Sequence, residues 1–320
     1  MYLNHFGLHE QPFSLTPDTS YFFACSSYQE ALNTLLIAAR SGEGFIKIVG
    51  EVGNGKTLLC RKFLASLNRD PVHATTVIGT QDEAINTTRL HEKFVTAYIP
   101  NPYQEPRSLL LALATEFRIE LAANVDQHQL LKELTRALLT FAGEGKRVLV
   151  CLDEAQAMPL ESLEVLRLLT NLETEKRKLL QVVLFGQPEL DERLKNNSVR
   201  QLRQRISFQY HLNGLKRKEI DHYLRHRLRV AGYTGETLFS RGAVALLHKV
   251  SGGTPRLVNI IAHKSLMLSF GEGRQRVLSA HVRRAAKDTP EAKFDWMIWV
   301  WKGGAVMLFA FLLIGLRGAL

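Results

Sequence analysis

Gly44-Phe45-Ile46-Lys47-Ile48-Val49 runs directly into Gly50-Glu51-Val52-Gly53-Asn54-Gly55-Lys56-Thr57, and this stretch decides the fold. The first part reads as a short buried strand, and the last eight residues satisfy the pattern G-x4-G-K-[ST]. Glycines let the backbone wrap so that successive N–H groups converge, and a helix expected from about Lys56 to Leu67 adds its positive N-terminal end. Such a cradle suits the phosphates of a nucleotide. Lys56 is expected to reach the β- and γ-phosphates, while the Thr57 hydroxyl holds Mg²⁺. The predicted binding loop comprises Gly50, Glu51, Val52, Gly53, Asn54, Gly55, Lys56, Thr57 and Leu58, with ATP and Mg²⁺ as the expected ligands. At ordinary residue frequencies a chance match in a chain of this length is on the order of 1 in 100.

About a hundred residues further on, Arg147–Leu152 (RVLVCL) forms a second apolar run that ends in Asp153-Glu154. A carboxylate pair at a strand end is weak evidence alone. Coupled to Lys56 and Thr57, it predicts Asp153 on the metal and Glu154 orienting and polarising an attacking water. Three positions extend this site. Gln187 follows the apolar run Leu179–Phe185 and suits a hydrogen bond to the γ-phosphate or the water, although the position equally suits an ordinary loop glutamine before Pro188. Arg205, with Arg203 as the weaker alternative, precedes the alternating segment Ile206–Leu212 and fits an arginine finger acting on a neighbouring copy. A solvated basic face is the competing reading. Arg256, in Gly252-Gly253-Thr254-Pro255-Arg256, is placed to reach the γ-phosphate from a second domain. His222 and His226 share a helix face, but no cysteine or carboxylate joins them at ligand spacing.

Apolar strands separated by helical periodicity predict an α/β P-loop fold of three αβα layers with a parallel sheet. The expected strands are Gly44–Val49, Phe94–Ile99, Arg147–Leu152, Leu179–Phe185 and Ile206–Leu212, with helices over Ala31–Arg40, Lys56–Leu67, Leu109–Leu121 and Gln129–Phe141. After about Leu215 the pattern is wholly helical, so residues 1–213 are assigned to the nucleotide-binding core and 214–289 to a small helical lid. Asn68–Lys93, with a possible strand at Ala74–Ile78, reads as an inserted element.

The chain carries 41 Lys and Arg against 31 Asp and Glu, a formal charge of +10 that favours acidic partners without choosing among them. Three dispersed cysteines argue against a disulfide framework and fit a reducing compartment, and the N-terminus shows no secretory signal. Residues 290–320 form a juxtamembrane segment and a candidate anchor. Trp296–Leu316 would span about 31 Å as a helix, close to the hydrocarbon thickness of a bilayer. Trp296, Trp299 and Trp301 suit an interfacial belt, and Arg283, Arg284, Lys287 and Lys293 would hold the preceding domains on the cytoplasmic side of an inner membrane. The uninterrupted part, Gly303–Leu316, reaches only about 21 Å, so a docked apolar helix is the alternative.

Taken together, the loop, the acidic strand end, Phe185–Leu190 (FGQPEL), Leu202–Ile206 (LRQRI) and Ser251–Asn259 (SGGTPRLVN) resemble the ExeA/GspA secretion ATPases. Phe6-Gly7-Leu8, Pro12-Phe13 and Pro17-Asp18 add to the resemblance, which covers about residues 1–290. It implies an AAA+ fold of the origin-recognition-like branch and a ring-forming homo-oligomeric ATPase. It also implies pilus or secretion assembly proteins as partners, in a type IV (MSHA-like) pilus or a secretion apparatus. By position it makes Lys56 and Thr57 the loop pair, Asp153 and Glu154 the acidic pair, Gln187 the first sensor, Arg205 the finger and Arg256 the second sensor. Two departures stand out: the extra sequence at Asn68–Lys93, and the lack of the periplasmic domain carried by longer ExeA proteins. A transposition-type, DNA-binding ATPase is the competing class. Nucleic acid is not expected, because only about 30 residues follow Asp288 and leave no room for a DNA-reading domain.

Overall fold

A computed structural model describes residues 2–67, 93–102, 105–122, 125–173 and 177–293. The possible strand at Ala74–Ile78 and the apolar stretch Trp296–Leu316 lie outside these residues. Among the described residues, no helix is long and apolar enough to cross a membrane.

The chain divides into two units. The larger, Thr16–Gly214, is built on five parallel strands: β1 (Phe45–Gly50), β2 (Phe94–Ile99), β3 (Arg147–Leu152), β4 (Leu180–Gly186) and β5 (Ile206–Leu212). Their order is β2-β3-β4-β1-β5. Every residue of β1 and β4 is buried, as expected of central strands covered on both faces, whereas the edge strands β2 and β5 are only partly buried. On one face α4 (Pro106–Glu116), α5 (Gln127–Gly143) and α6 (Leu160–Leu169) bring Leu109, Leu113, Leu130, Leu134, Leu163 and Leu166 against Val148, Val150, Val182 and Leu184. α2 (Ser26–Ser41) and α3 (Lys56–Leu67) also pack on the sheet, and their Leu35, Leu59 and Phe63 are fully buried.

Local signals account for the boundaries. In α5 the buried leucines 130, 134 and 138 recur every four residues, and an Asp126–Gln129 capping box closes its start. α4 begins at Pro106, not Leu109, because proline suits the first helical turn. It ends at Glu116, short of Leu121, because Arg118 takes a left-handed φ of 56° that breaks the helix.

The second unit joins the first fifteen residues, including α1 (Tyr2–Phe6), to α9 (Arg217–Val230), α10 (Arg241–Ser251), α11 (Pro255–Gly271) and α12 (Ser279–Lys287). This differs from the sequence-based assignment of residues 1–213 to one core. The reason lies in Arg227, only 6% exposed, whose guanidinium donates to the carbonyl oxygens of Pro12 (2.5 Å) and Ser14 (3.2 Å). Phe6, Leu8 and Phe13 are buried, and the Phe13 ring meets Phe239 edge-on at 6.0 Å. Gly253, at φ 80°, accepts a 2.7 Å bond from Leu215 N–H on its own carbonyl, and a Cβ there would collide with the Leu215 backbone. Only glycine fits that turn.

Candidate functional site

Because the strands are parallel, the C-terminal ends of β1, β4 and β3 lie side by side, and the residues that follow them share one edge of the sheet. The register places Val49 beside Gly186 and Leu184 beside Leu152. This is the edge where α/β sheets bind ligands. The loop after β1 is pinned there. Asn54, buried, donates from Nδ2 to the Leu212 carbonyl at 2.8 Å, and the Tyr28 hydroxyl donates to the Asn54 carbonyl. Gly55 has a φ of 79°, and a side chain there would run into the Tyr28 hydroxyl. Lys56, 5% exposed, donates from Nζ to the carbonyls of Gly50 (2.8 Å) and Glu51 (3.2 Å). Burial pushes the ammonium below the ordinary lysine value, opposed by the nearby charges of Glu154, Asp153, Glu51 and Glu189. Leu58 is half-buried on α3.

The Thr57 hydroxyl donates to Asp153 Oδ2 at 2.5 Å, and the Tyr98 hydroxyl approaches the same oxygen at 3.4 Å. Asp153 is 2% exposed, and burial raises its carboxyl above the usual range while the Thr57 hydrogen bond opposes the rise. Tyr98 is pushed up to about 12, mainly by burial and then by the Asp153 charge, so it stays a donor. A hydroxyl and a carboxylate converging beside a buried ammonium form a hard-oxygen donor set. That set fits Mg²⁺ next to phosphate.

Glu154 occupies a left-handed conformation, φ 53° and ψ 38°, which costs a non-glycine residue about 1–2 kcal/mol. The turn directs its carboxylate toward β4. There Oε2 accepts from Gln187 Nε2 at 2.9 Å and from Gln156 Nε2 at 2.6 Å, while Gln156 Oε1 accepts the Gln187 backbone N–H at 3.0 Å. Three residues from two strand ends thus close a hydrogen-bonded ring around one carboxylate. Gln187 therefore falls beside the acidic pair, with its amide engaged by Glu154.

Other predicted residues stand elsewhere. Arg205 follows α8 (Arg200–Gln204) as its C-cap and precedes β5, whose first residue pairs with Phe45 and whose last pairs with Gly50. Along that strand Arg205 is about 20 Å from the phosphate loop of its own chain. Neither Arg203 nor Arg205 forms an ion pair among the described residues. Arg256 is exposed on the first turn of α11 in the helical unit.

Sequence reasoning missed Gln156, Tyr98 and the pair Lys47–Asp191. Gln156 had a local signal, an amide two residues beyond the acidic pair. Tyr98 had none, since only the pairing of β2 with β3 brings it to Asp153. Lys47 sits in the central strand with its side chain 9% exposed, and its Nζ meets Asp191 Oδ1 at 2.5 Å. This pair ties α7 (Glu189–Leu194), which follows Gln187, back to β1. Cys25, Cys60 and Cys151 are buried and form no disulfide among the described residues, and burial pushes Cys60 well above its usual range.

Loop, acidic pair and five-stranded parallel sheet together have the arrangement of a P-loop nucleotide-binding fold. Residues 39–194 match the AAA domain family. Over its whole 320 residues the chain is 37% identical to general secretion pathway protein A of Aeromonas hydrophila, and it spans 52% of that protein, about half its length. Among solved structures it is similar to the ORC2 protein of Aeropyrum pernix, determined as ADPNP–ADP complexes, with a TM-score of 0.62 and 16% identity over 91% of this chain and 74% of that one. It is also similar to Cdc6p of Pyrobaculum aerophilum, with a TM-score of 0.61 and 17% identity over 87% of this chain and 70% of that one. At such identities the likeness shows the fold alone.

Proposed function

We propose that this protein hydrolyses Mg·ATP as a homo-oligomer and uses the cycle to support assembly of a secretion apparatus or a type IV, MSHA-like, pilus at the inner membrane. The observation that carries the chemistry is the convergence of Thr57, Asp153 and Glu154 at one sheet edge beside Lys56. The loop N–H groups and the Lys56 ammonium bind and orient the phosphates. Thr57 and Asp153 hold Mg²⁺, which when bound neutralises charge on the phosphate oxygens. Glu154 aims a water and takes up its proton on the carboxylate. Gln187 and Gln156 are positioning residues that fix Glu154 Oε2. The nucleotide complexes of the ORC2 neighbour support a nucleotide in this fold, and the secretion-pathway relative supports the cellular role.

The oligomer reading rests on Arg205. Standing a strand's length from its own loop, it can assist hydrolysis only in a neighbouring copy. Arg256 is assigned to nucleotide sensing, and the apolar stretch 296–316 to membrane attachment, on sequence grounds.

Hydrolysis measured against protein concentration tests these assignments. Turnover per chain should rise with concentration, vanish in Glu154→Gln with ATP binding kept, and fall in Arg205→Ala. Mixing the two variants should raise turnover above that of either alone, because one supplies the arginine and the other the intact site. Turnover that is independent of concentration and indifferent to Arg205 overturns the oligomeric reading, and activity surviving in Glu154→Gln overturns the carboxylate's role. Carbonate-resistant membrane association lost on deleting 296–320 tests the anchor.

A further inference from the structure

The helical unit holds a cavity of about 680 Å³ that takes no part in the nucleotide site. Arg217 and Arg225 project into it from α9, with Asp221 between them at helical spacing. Arg241 enters from the first turn of α10, and Arg276 from the segment leading to α12. The cavity's one carboxylate is already engaged, since Asp221 pairs with Arg225 at 2.9 Å. Arg217, Arg241 and Arg276 have no acidic partner within ion-pair distance among the described residues. The four arginines are exposed, which screens their mutual repulsion and leaves the guanidiniums accessible to an anionic ligand.

Part of the lining is apolar: Val244 and Ala245 are half-buried there beside the buried Phe239, and the nearby backbone is stitched by Ser240 N–H to the Val277 carbonyl and Val277 N–H to the Leu238 carbonyl, both 2.9 Å. Guanidinium forks take carboxylate or phosphate oxygens in pairs. The apolar part of the lining separates these ligands, because inorganic phosphate and a nucleic-acid backbone bring nothing to cover it. A nucleic-acid strand also needs a basic track, whereas these arginines surround a single cavity.

We propose that this cavity docks an acidic peptide segment of a partner protein, with its carboxylates on Arg217, Arg241 and Arg276 and an aliphatic side chain seated on Val244 and Ala245. The volume is in the range of sites that enclose a few side chains.

The test is fluorescence anisotropy on the full-length chain without nucleotide, so that its failure leaves the hydrolysis reading untouched. The probe is a fluorescein-labelled hexapeptide alternating glutamate and leucine. Unlabelled hexaglutamate, inorganic pyrophosphate and a six-base oligothymidylate serve as competitors. Arg241→Ala/Arg276→Ala should weaken probe binding by at least about tenfold. Lys218→Ala/Arg229→Ala removes the same charge from exposed α9 positions outside the cavity and should change binding less than about twofold. Val244→Glu, which adds a charge to the apolar lining, should abolish binding. Equal losses in the two double variants would show surface charge alone and overturn the proposal. Competition by hexaglutamate, pyrophosphate or the oligonucleotide as strong as that of unlabelled probe overturns the peptide assignment.

Discussion

Replacing Gln156 with alanine isolates the polar ring from the rest of the site. Wild-type Glu154 Oε2 accepts two amide donors, at 2.6 Å from Gln156 and 2.9 Å from Gln187. The substitution removes the shorter one and takes the acceptor from the Gln187 backbone N–H. A hydrogen bond to a charged group contributes about 1.5–3 kcal/mol. If Glu154 must be aimed to receive the water's proton, that loss falls on the transition state, and kcat should drop about 10- to 150-fold. Gln156 hydrogen-bonds to Glu154 and Gln187 and to none of the loop residues, so the Kd for ATP should stay within about twofold. Steady-state turnover at saturating Mg·ATP, paired with nucleotide binding measured separately, distinguishes the two effects. The same substitution in a Glu154→Gln background should add nothing, because the group being positioned is gone. An unchanged kcat in Gln156→Ala would falsify the positioning role. An ATP affinity that falls in step with kcat would instead show a general collapse of the loop.

Two further predictions concern the frame around the site. Asp191→Ala strands Lys47 in the central strand and should destabilise the larger unit by about 2–3 kcal/mol, below the full value for a buried pair because Asp191 is 27% exposed. Lys47→Met leaves a carboxylate that water can reach and should cost less; denaturant titrations giving the opposite order would refute this account. In the helical unit, Glu272 is held below its ordinary value of 4.5, first by the hydrogen bond from His281 and then by the charges of His281, Arg284 and Arg274. A lowered carboxyl value means that the stabilisation is present above the ordinary value and lost as pH falls through the folded-state value. The melting temperature of wild type should therefore exceed that of Glu272→Gln near neutral pH, with the gap closing in acid; a gap constant from pH 7 to pH 3.5 would remove the charge from the explanation.

Much of the frame was legible in the chain itself. Arg147–Leu152, Phe94–Ile99 and Ile206–Leu212 are strands over the residues their apolar or alternating patterns mark out, and α3 spans Lys56–Leu67 as read. The reason is local: strand period, helix period and glycine conformation act over a few residues, so short stretches carry them in full. The loop Gly50–Thr57 and the pair Asp153–Glu154 belong to this class, since each is a contiguous motif at a strand end.

The placement of these motifs relative to one another was not local. Sheet order puts β4 beside β3, and this brings Gln187 onto the Glu154 carboxylate, which Gln156 already reaches from the same loop. Because β5 runs parallel to β1, Arg205 sits at the opposite end of the strands from the loop, and the placement of α7 sets Asp191 on the buried Lys47. Packing also drew the first fifteen residues into the helical unit through Arg227, against the expectation of a continuous core from residue 1 to 213. Strand order and the aim of side chains depend on which distant surfaces bury each other and on where buried polar groups find partners. No window along the chain contains that information. The phosphate loop is therefore a property of fourteen consecutive residues, while the carboxylate ring beside it exists only in the folded sheet.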